Sequence, residues 1–109
     1  FGSRIGDVGS VRHKLADMAA RAAASRGLVR QAALVEDEGG DPRTLASMAK
    51  YVAGENAVDV AGEAVQVHGG DGYTTEYDVE RFYRDARITT IYEGTSEIQR
   101  EVVARSLLD

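Results

Sequence analysis

At 109 residues, with 43% hydrophobic and 28% charged residues, the chain has the make-up of one soluble globular domain. A net charge of −5 excludes the clustered basic surface that nucleic acid requires, and no apolar run approaches the roughly 20 residues that span a bilayer. The absence of cysteine excludes disulfides, thiolate metal sites and thiol nucleophiles.

No secretory signal pattern opens the chain, and Phe1-Gly2-Ser3 has no initiator methionine, which predicts a fragment or a processed piece. From Val8, the residues Val11, Leu15, Met18, Ala22, Ser25, Val29 and Ala32 recur at alternating steps of three and four. Arg12, Lys14, Asp17, Arg21 and Arg30 fall on the other side, so the spacing predicts one long amphipathic helix over 8–35. Gly39-Gly40 ends it, both glycines being suited to left-handed backbone. Asp41-Pro42 restarts a helix, with Asp41 as N-cap. Leu45, Met48, Val52, Ala57, Val60, Ala61, Ala64 and Val65 carry it to Gly69-Gly70. The short link predicts an antiparallel hairpin, and its many alanines predict close helix-to-helix approach. A loop over 70–77, a short helix from Asp78 as cap to Arg87, an irregular passage over 88–92 and a last helix from Thr95 or Ser96 complete the chain. Ser96-Glu97-Ile98-Gln99 has the spacing of a capping box. The fold class predicted is all-α, with no internal repeat and no linker.

Two stretches carry candidate chemistry. Glu93 stands on a glycine-flanked bend, Ile91-Tyr92-Glu93-Gly94-Thr95-Ser96, just before a helix N-terminus. A general base needs a carboxylate beside its substrate, and burial raises such a group towards the working pH. Tyr92 offers an aromatic wall, Gly94 an approachable backbone, Thr95 and Ser96 hydroxyls, and the following helix free N–H groups. The same pattern also describes a solvated loop carboxylate favoured by a helix dipole. Gln66-Val67-His68-Gly69-Gly70-Asp71-Gly72 is a glycine cluster where backbone can approach a phosphate or a flat ring, or simply turn sharply. His68 has no partner at metal-ligand spacing, and no metal site is predicted. Arg81, Arg84 and Arg87, interleaved with Glu80 and Asp85, read as a salt-bridged helix face. Tyr73, Tyr77, Phe82 and Tyr83 are expected to pin the short helix to the core.

These stretches, with Lys14-Leu15-Ala16-Asp17-Met18, Ala46-Ser47-Met48-Ala49-Lys50 and Val79-Glu80-Arg81-Phe82-Tyr83-Arg84-Asp85-Ala86-Arg87, resemble the C-terminal helical domain of the flavin-dependent acyl-CoA dehydrogenases over essentially the whole chain. The resemblance implies the later helices of that domain's up-and-down four-helix bundle, here without its first helix or the N-terminal and middle domains. Glu93 then matches the acid that removes the α-proton of an acyl-CoA thioester while the β-hydrogen leaves as hydride to FAD, giving a trans-2-enoyl-CoA. In the family the base's own backbone N–H and a flavin hydroxyl support the developing enolate. Tyr92 and Gly94 match substrate-contacting positions, and Thr95, Ser96 and Glu97 a segment that touches FAD. Phe1 joins the flavin contacts, and Gln66, Val67, His68, Gly69 and Gly70 match the segment that grips the FAD of a neighbouring subunit. A homo-oligomer (dimer or tetramer) and an electron-transfer flavoprotein as acceptor follow from the same resemblance. So does a location in the bacterial cytoplasm, or in the mitochondrial matrix of a eukaryote. The chain departs from the family at Gly9, where a glutamine often stands near FAD. A non-catalytic helical assembly module, or a related flavoenzyme of secondary metabolism, are the alternatives. An uncovered apolar face is expected of an incomplete bundle.

Overall fold

The computed structural model describes residues 2–109, which are helix and turn with no strand among them. A 3-10 turn over Ile5–Asp7 leads into α1 (Gly9–Asp37) and α2 (Arg43–His68). After these come α3 (Gly70–Tyr73), α4 (Val79–Ile88) and α5 (Ser96–Leu108). At 1.5 Å per residue the first helix alone runs about 43 Å, and the molecule measures 57 × 25 × 24 Å.

The first two helices form the predicted hairpin. Lys14 pairs with Glu63 at 2.6 Å and Arg21 with Asp59 at 2.8 Å, and Asn56 donates to the Ser25 hydroxyl at 3.0 Å. Rising numbers on α1 meet falling numbers on α2, so the two are antiparallel. At the turn, the Gly39 and Gly40 N–H groups donate to the carbonyls of Glu36 and Val35. Of the two glycines only Gly39 is left-handed, with φ +81°.

Asp41 starts α2 from one position further out than a cap. Pro42 holds the cap position, while an Asp41 carboxylate oxygen accepts from the Arg43 N–H at 3.1 Å. The Arg43 guanidinium clasps the same carboxylate at 2.7–3.1 Å. These bonds, the side-chain ones first, hold the Asp41 carboxyl at about 2, below its ordinary 3.8.

Four local expectations need correction. The segment 70–77 is not wholly loop: Gly69 breaks α2 with φ +66°, and Gly70–Tyr73 then makes one helical turn. Gly72 seats that turn against α2, since a Cβ there would come within 2.5 Å of the Val65 carbonyl oxygen. Asp78 stands at the cap of α4, but its backbone is already helical and its side chain caps nothing, turning instead towards Arg81 at 3.7 Å. The expected ladder of salt bridges on α4 reduces to that one pair among the described residues, with Arg87 donating to the Thr90 hydroxyl instead. Nor do the aromatics all pin α4 to the core, because Tyr73 is 86% exposed and Phe82 is also exposed. Tyr83 does lie on α2, its ring edge 3.3 Å from where a Cβ of Gly62 would stand.

The core is thin. Ala32, Ala49 and Val79 are the buried apolar residues among those described, because alanines let helices approach but cover little area. Leu15 and Val29 lie on the predicted inner stripe of α1 yet stay exposed. One neighbouring helix cannot cover a stripe that wide. This is the uncovered apolar face that the sequence leads one to expect.

Candidate active site

Between α4 and α5 the chain turns through 89–95, and Glu93 sits in the middle of that turn. α4 closes with the Thr89 hydroxyl donating to the Ala86 carbonyl at 2.7 Å. The Ile91 and Tyr92 N–H groups both return to the Ile88 carbonyl at 2.9 and 3.0 Å. α5 then opens on Thr95, whose hydroxyl accepts from the Ile98 N–H at 3.2 Å. Thr95 is therefore the cap, and the capping box predicted from Ser96 does not form. The Gln99 amide instead reaches back to the Gly94 carbonyl at 3.4 Å.

Glu93 is left-handed, with φ +54°, and no other non-glycine residue described has a positive φ. For an L-residue this conformation costs roughly 1–2 kcal/mol, so the surroundings must impose it. Gly94 follows with φ +92°, where a side chain would be strained and its Cβ would meet the Gln99 amide nitrogen. The Glu93 side chain is exposed, and nothing within these residues buries it. Its N–H meets no acceptor among the described residues. Tyr92 and Glu93 stand at the edge of a hollow of about 620 Å³ floored by Val29, Ala49, Ala53 and Ala57. A floor of that kind accepts an apolar chain or the apolar side of another helix.

The bend is fastened to α2 from below by residues that sequence reasoning passed over. Lys50 donates three hydrogen bonds to backbone carbonyls: Thr89 at 2.8 Å, Tyr92 at 2.9 Å and Gly94 at 2.6 Å. One helical turn on, Gly54 is buried against Thr89, whose hydroxyl would lie 3.1 Å from a Cβ at that position. The available signal was slight. Lys50 is one of two lysines in the chain, and it falls between Ala49 and Tyr51 in a stretch of small and apolar residues.

Ser96 is 4% exposed, and its hydroxyl is a buried polar atom with no partner among the described residues. It lines a polar hollow with Arg87, Thr90, Thr95 and Glu97 beside the N-terminus of α5. The orphaned hydroxyl and the Arg87 guanidinium are donors that a polar group can use. The Ser96 and Ile98 N–H groups are already taken by the Thr90 carbonyl and the Thr95 hydroxyl, and the Glu55, Asp59 and Glu97 carboxylates share that wall. The residues thus fit a polar part of a dinucleotide.

The glycine cluster lies elsewhere. Gln66, His68, Gly69 and Gly70 are exposed at the far end of α2, with Val67 half-buried. His68 is tied to its own helix, its Nδ1–H donating to the Ala64 carbonyl at 2.8 Å. Gln66 is sixteen residues beyond Lys50 on one continuous helix, a distance of about 24 Å. The structure therefore brings Tyr92, Glu93, Gly94, Thr95, Ser96 and Glu97 together and keeps the 66–70 segment apart from them. Phe1 lies outside the described residues. No group of three metal-ligating side chains occurs among the described residues, and none of their helices is long and apolar enough to cross a membrane.

An all-helical domain that presents a strained acid on a glycine bend defines the class of this chain. Residues 1–108 match the acyl-CoA dehydrogenase C-terminal domain, and the chain belongs to that family. It is 48% identical over its full length to cyclohexane-1-carbonyl-CoA dehydrogenase of Syntrophus aciditrophicus (strain SB), covering 28% of that protein. It is 49% identical over 99% of its length to an acyl-CoA dehydrogenase of Bacillus subtilis (strain 168), again covering 28%. To the mitochondrial short-chain specific acyl-CoA dehydrogenase of Rattus norvegicus it is 46% identical over 99% of its length, covering 26%.

Among solved structures, butyryl-CoA dehydrogenase from Megasphaera elsdenii superposes with a TM-score of 0.98 at 46% identity, over 100% of this chain and 28% of that one. A chain in a structure of the electron transferring flavoprotein of Acidaminococcus fermentans gives 0.97 at 44% identity, over 99% and 28%. A chain of the FAD complex of PigA gives 0.94 at 32% identity, over 98% and 28%. The chain thus spans little more than a quarter of the length of the relatives it matches.

Proposed function

We propose that these residues are the C-terminal part of an FAD-dependent enzyme that α,β-dehydrogenates an acyl-CoA thioester, with Glu93 as the base. The observation that carries this reading is the left-handed Glu93 before Gly94, a strained conformation at an acid in a chain that belongs to a dehydrogenase family over residues 1–108. The Glu93 carboxylate would take the α-proton, and its unengaged N–H would donate to the thioester oxygen as charge develops there. Tyr92 and Gly94 would border the thioester and position its α-carbon. Bound FAD would supply the acceptor for the β-hydride, so that the product is a trans-2-enoyl-CoA. Thr95, Ser96 and Glu97 would hold part of the flavin dinucleotide of the same subunit.

The segment Gln66, Val67, His68, Gly69 and Gly70 would grip the FAD of a second copy, and its place about 24 Å along α2 from Lys50, which holds the bend of the base, supports a homo-oligomer. An electron-transfer flavoprotein is the proposed acceptor, supported by the Acidaminococcus structure. The proposed location is the bacterial cytoplasm or the mitochondrial matrix, the rat relative being mitochondrial.

The test is Glu93→Gln in the protein expressed from its full reading frame, assayed by dye-linked acyl-CoA oxidation. Activity should fall by about 10³-fold or more while FAD stays bound. Retained activity removes Glu93 from the reaction.

A further inference from the structure

We infer that Lys50 is a positioning residue for the reaction, the device that aims Glu93. The inference rests on the proposed role of Glu93 as base and adds to it a residue from a different helix. A lysine ammonium has three N–H donors and no acceptor. All three are spent here on one bend, at the Thr89, Tyr92 and Gly94 carbonyls, 2.6 to 2.9 Å away. No carboxylate lies within ion-pair distance of Lys50 among the described residues, so the ammonium serves the backbone alone. Such charge-assisted bonds are the strong kind.

Their placement matters more than their number. The Tyr92 and Gly94 carbonyls flank Glu93 on either side, and both turn inward to the same nitrogen. With its two neighbours held this way, Glu93 keeps its left-handed φ of +54°, which an unrestrained chain would leave. Lys50 itself projects from a 26-residue helix and is half-buried, so its stem starts from a rigid base. Gly54, one turn along, lets the Thr89 backbone sit close enough for the bonds to form. The ammonium, with its three donors taken by carbonyls, has none left for a substrate. It acts through the bend, by fixing where the Glu93 carboxylate begins.

The experiment uses the full-length holoenzyme with Lys50→Met, which keeps the length of the stem and removes every donor. Two readouts are taken: amide hydrogen exchange by segment, and kcat and KM separately. Exchange over 89–95 should quicken at least about 10-fold while the hairpin of α1 and α2 keeps its protection. The kcat should fall by about 10- to 100-fold, as for a misplacement of the order of 1 Å, with KM moving less than about 3-fold.

Unchanged kcat, with or without a looser bend, overturns the inference. So does a loss of kcat accompanied by faster exchange throughout the chain, which is general destabilisation. Should Lys50→Met fail to fold, Lys50→Arg reads the same geometry. A planar guanidinium cannot meet three converging carbonyls, so the same segment loosens and kcat falls by a smaller factor, and full activity with a tight bend refutes the idea. The Glu93→Gln variant is run beside both. If it stays active, the base assignment fails, whereas a silent Lys50→Met beside an inactive Glu93→Gln sinks only the role of Lys50.

Discussion

Replacing Glu93 by glycine should make the protein more stable while destroying its proposed activity. The left-handed backbone of Glu93 costs an L-residue roughly 1–2 kcal/mol relative to its preferred regions. Glycine adopts φ near +54° without steric cost. Against this stands the larger freedom of glycine in the unfolded chain, which takes back roughly 0.5–1 kcal/mol. The Glu93 side chain is exposed and forms no hydrogen bond among the described residues, so its removal forfeits little packing. The balance is a gain of about 0.5–1 kcal/mol for Glu93→Gly.

Glu93→Gln is the control, because it keeps the Cβ and with it the strain, and it should stay within about 0.5 kcal/mol of the parent. Guanidinium unfolding of the two variants and the parent, read at equal m-values, measures the difference. Both variants should be inactive in dye-linked acyl-CoA oxidation. A Glu93→Gly protein less stable than Glu93→Gln refutes the strain argument. In that case the positive φ is intrinsic to a relaxed turn, and its link to function dissolves.

Two other perturbations test the frame that holds the site. Thr95→Ala removes the hydroxyl that caps α5 and should cost about 1 kcal/mol in chemical unfolding, with Thr95→Ser restoring most of it. An equal loss in the serine variant would assign the effect to the methyl group. Asp41 offers a pH test: its folded value of about 2 lies below the ordinary 3.8. Its contribution to stability is then complete above 3.8 and is lost as pH falls through about 2. Asp41→Asn should remove that part of the acid slope, most visibly at low salt since the pair is exposed, and an unchanged acid profile would show that the pair does not secure the start of α2.

Where the sequence was legible, a local rule operated. The heptad-like spacing along α1 and the alanine-rich face of α2 needed only helical periodicity to be read. The glycines at 39 and 69 stop helices through their own backbone freedom. The misreadings were also local rules, applied where something else prevailed. Ser96-x-x-Gln99 has the form of a capping box, yet Thr95, one residue earlier, takes the cap and leaves the Ser96 hydroxyl buried and unpartnered. Asp78 occupies a capping position, but its helical backbone and its attraction to Arg81 turn the carboxylate away from the amides. Tyr73 follows two glycines on a turn that faces outward, so its size does not bring it into the core.

By itself, the sequence determined the helices other than the single turn of α3, the hairpin of the two long ones, the candidate base and the family, because each of these is written in short spacings or in contiguous motifs. Two things were decided only by the tertiary structure. The first is that Glu93 and the 66–70 segment lie at separate places along α2, since the distance between them is set by an unbroken helix and not by the count of residues that joins them. The second is the grip of Lys50 on the Glu93 bend across some forty residues of chain. No periodicity encodes that contact. It exists because α4 folds back along α2, because Gly54 lets the backbones meet, and because three carbonyls left over by a strained turn converge on one ammonium.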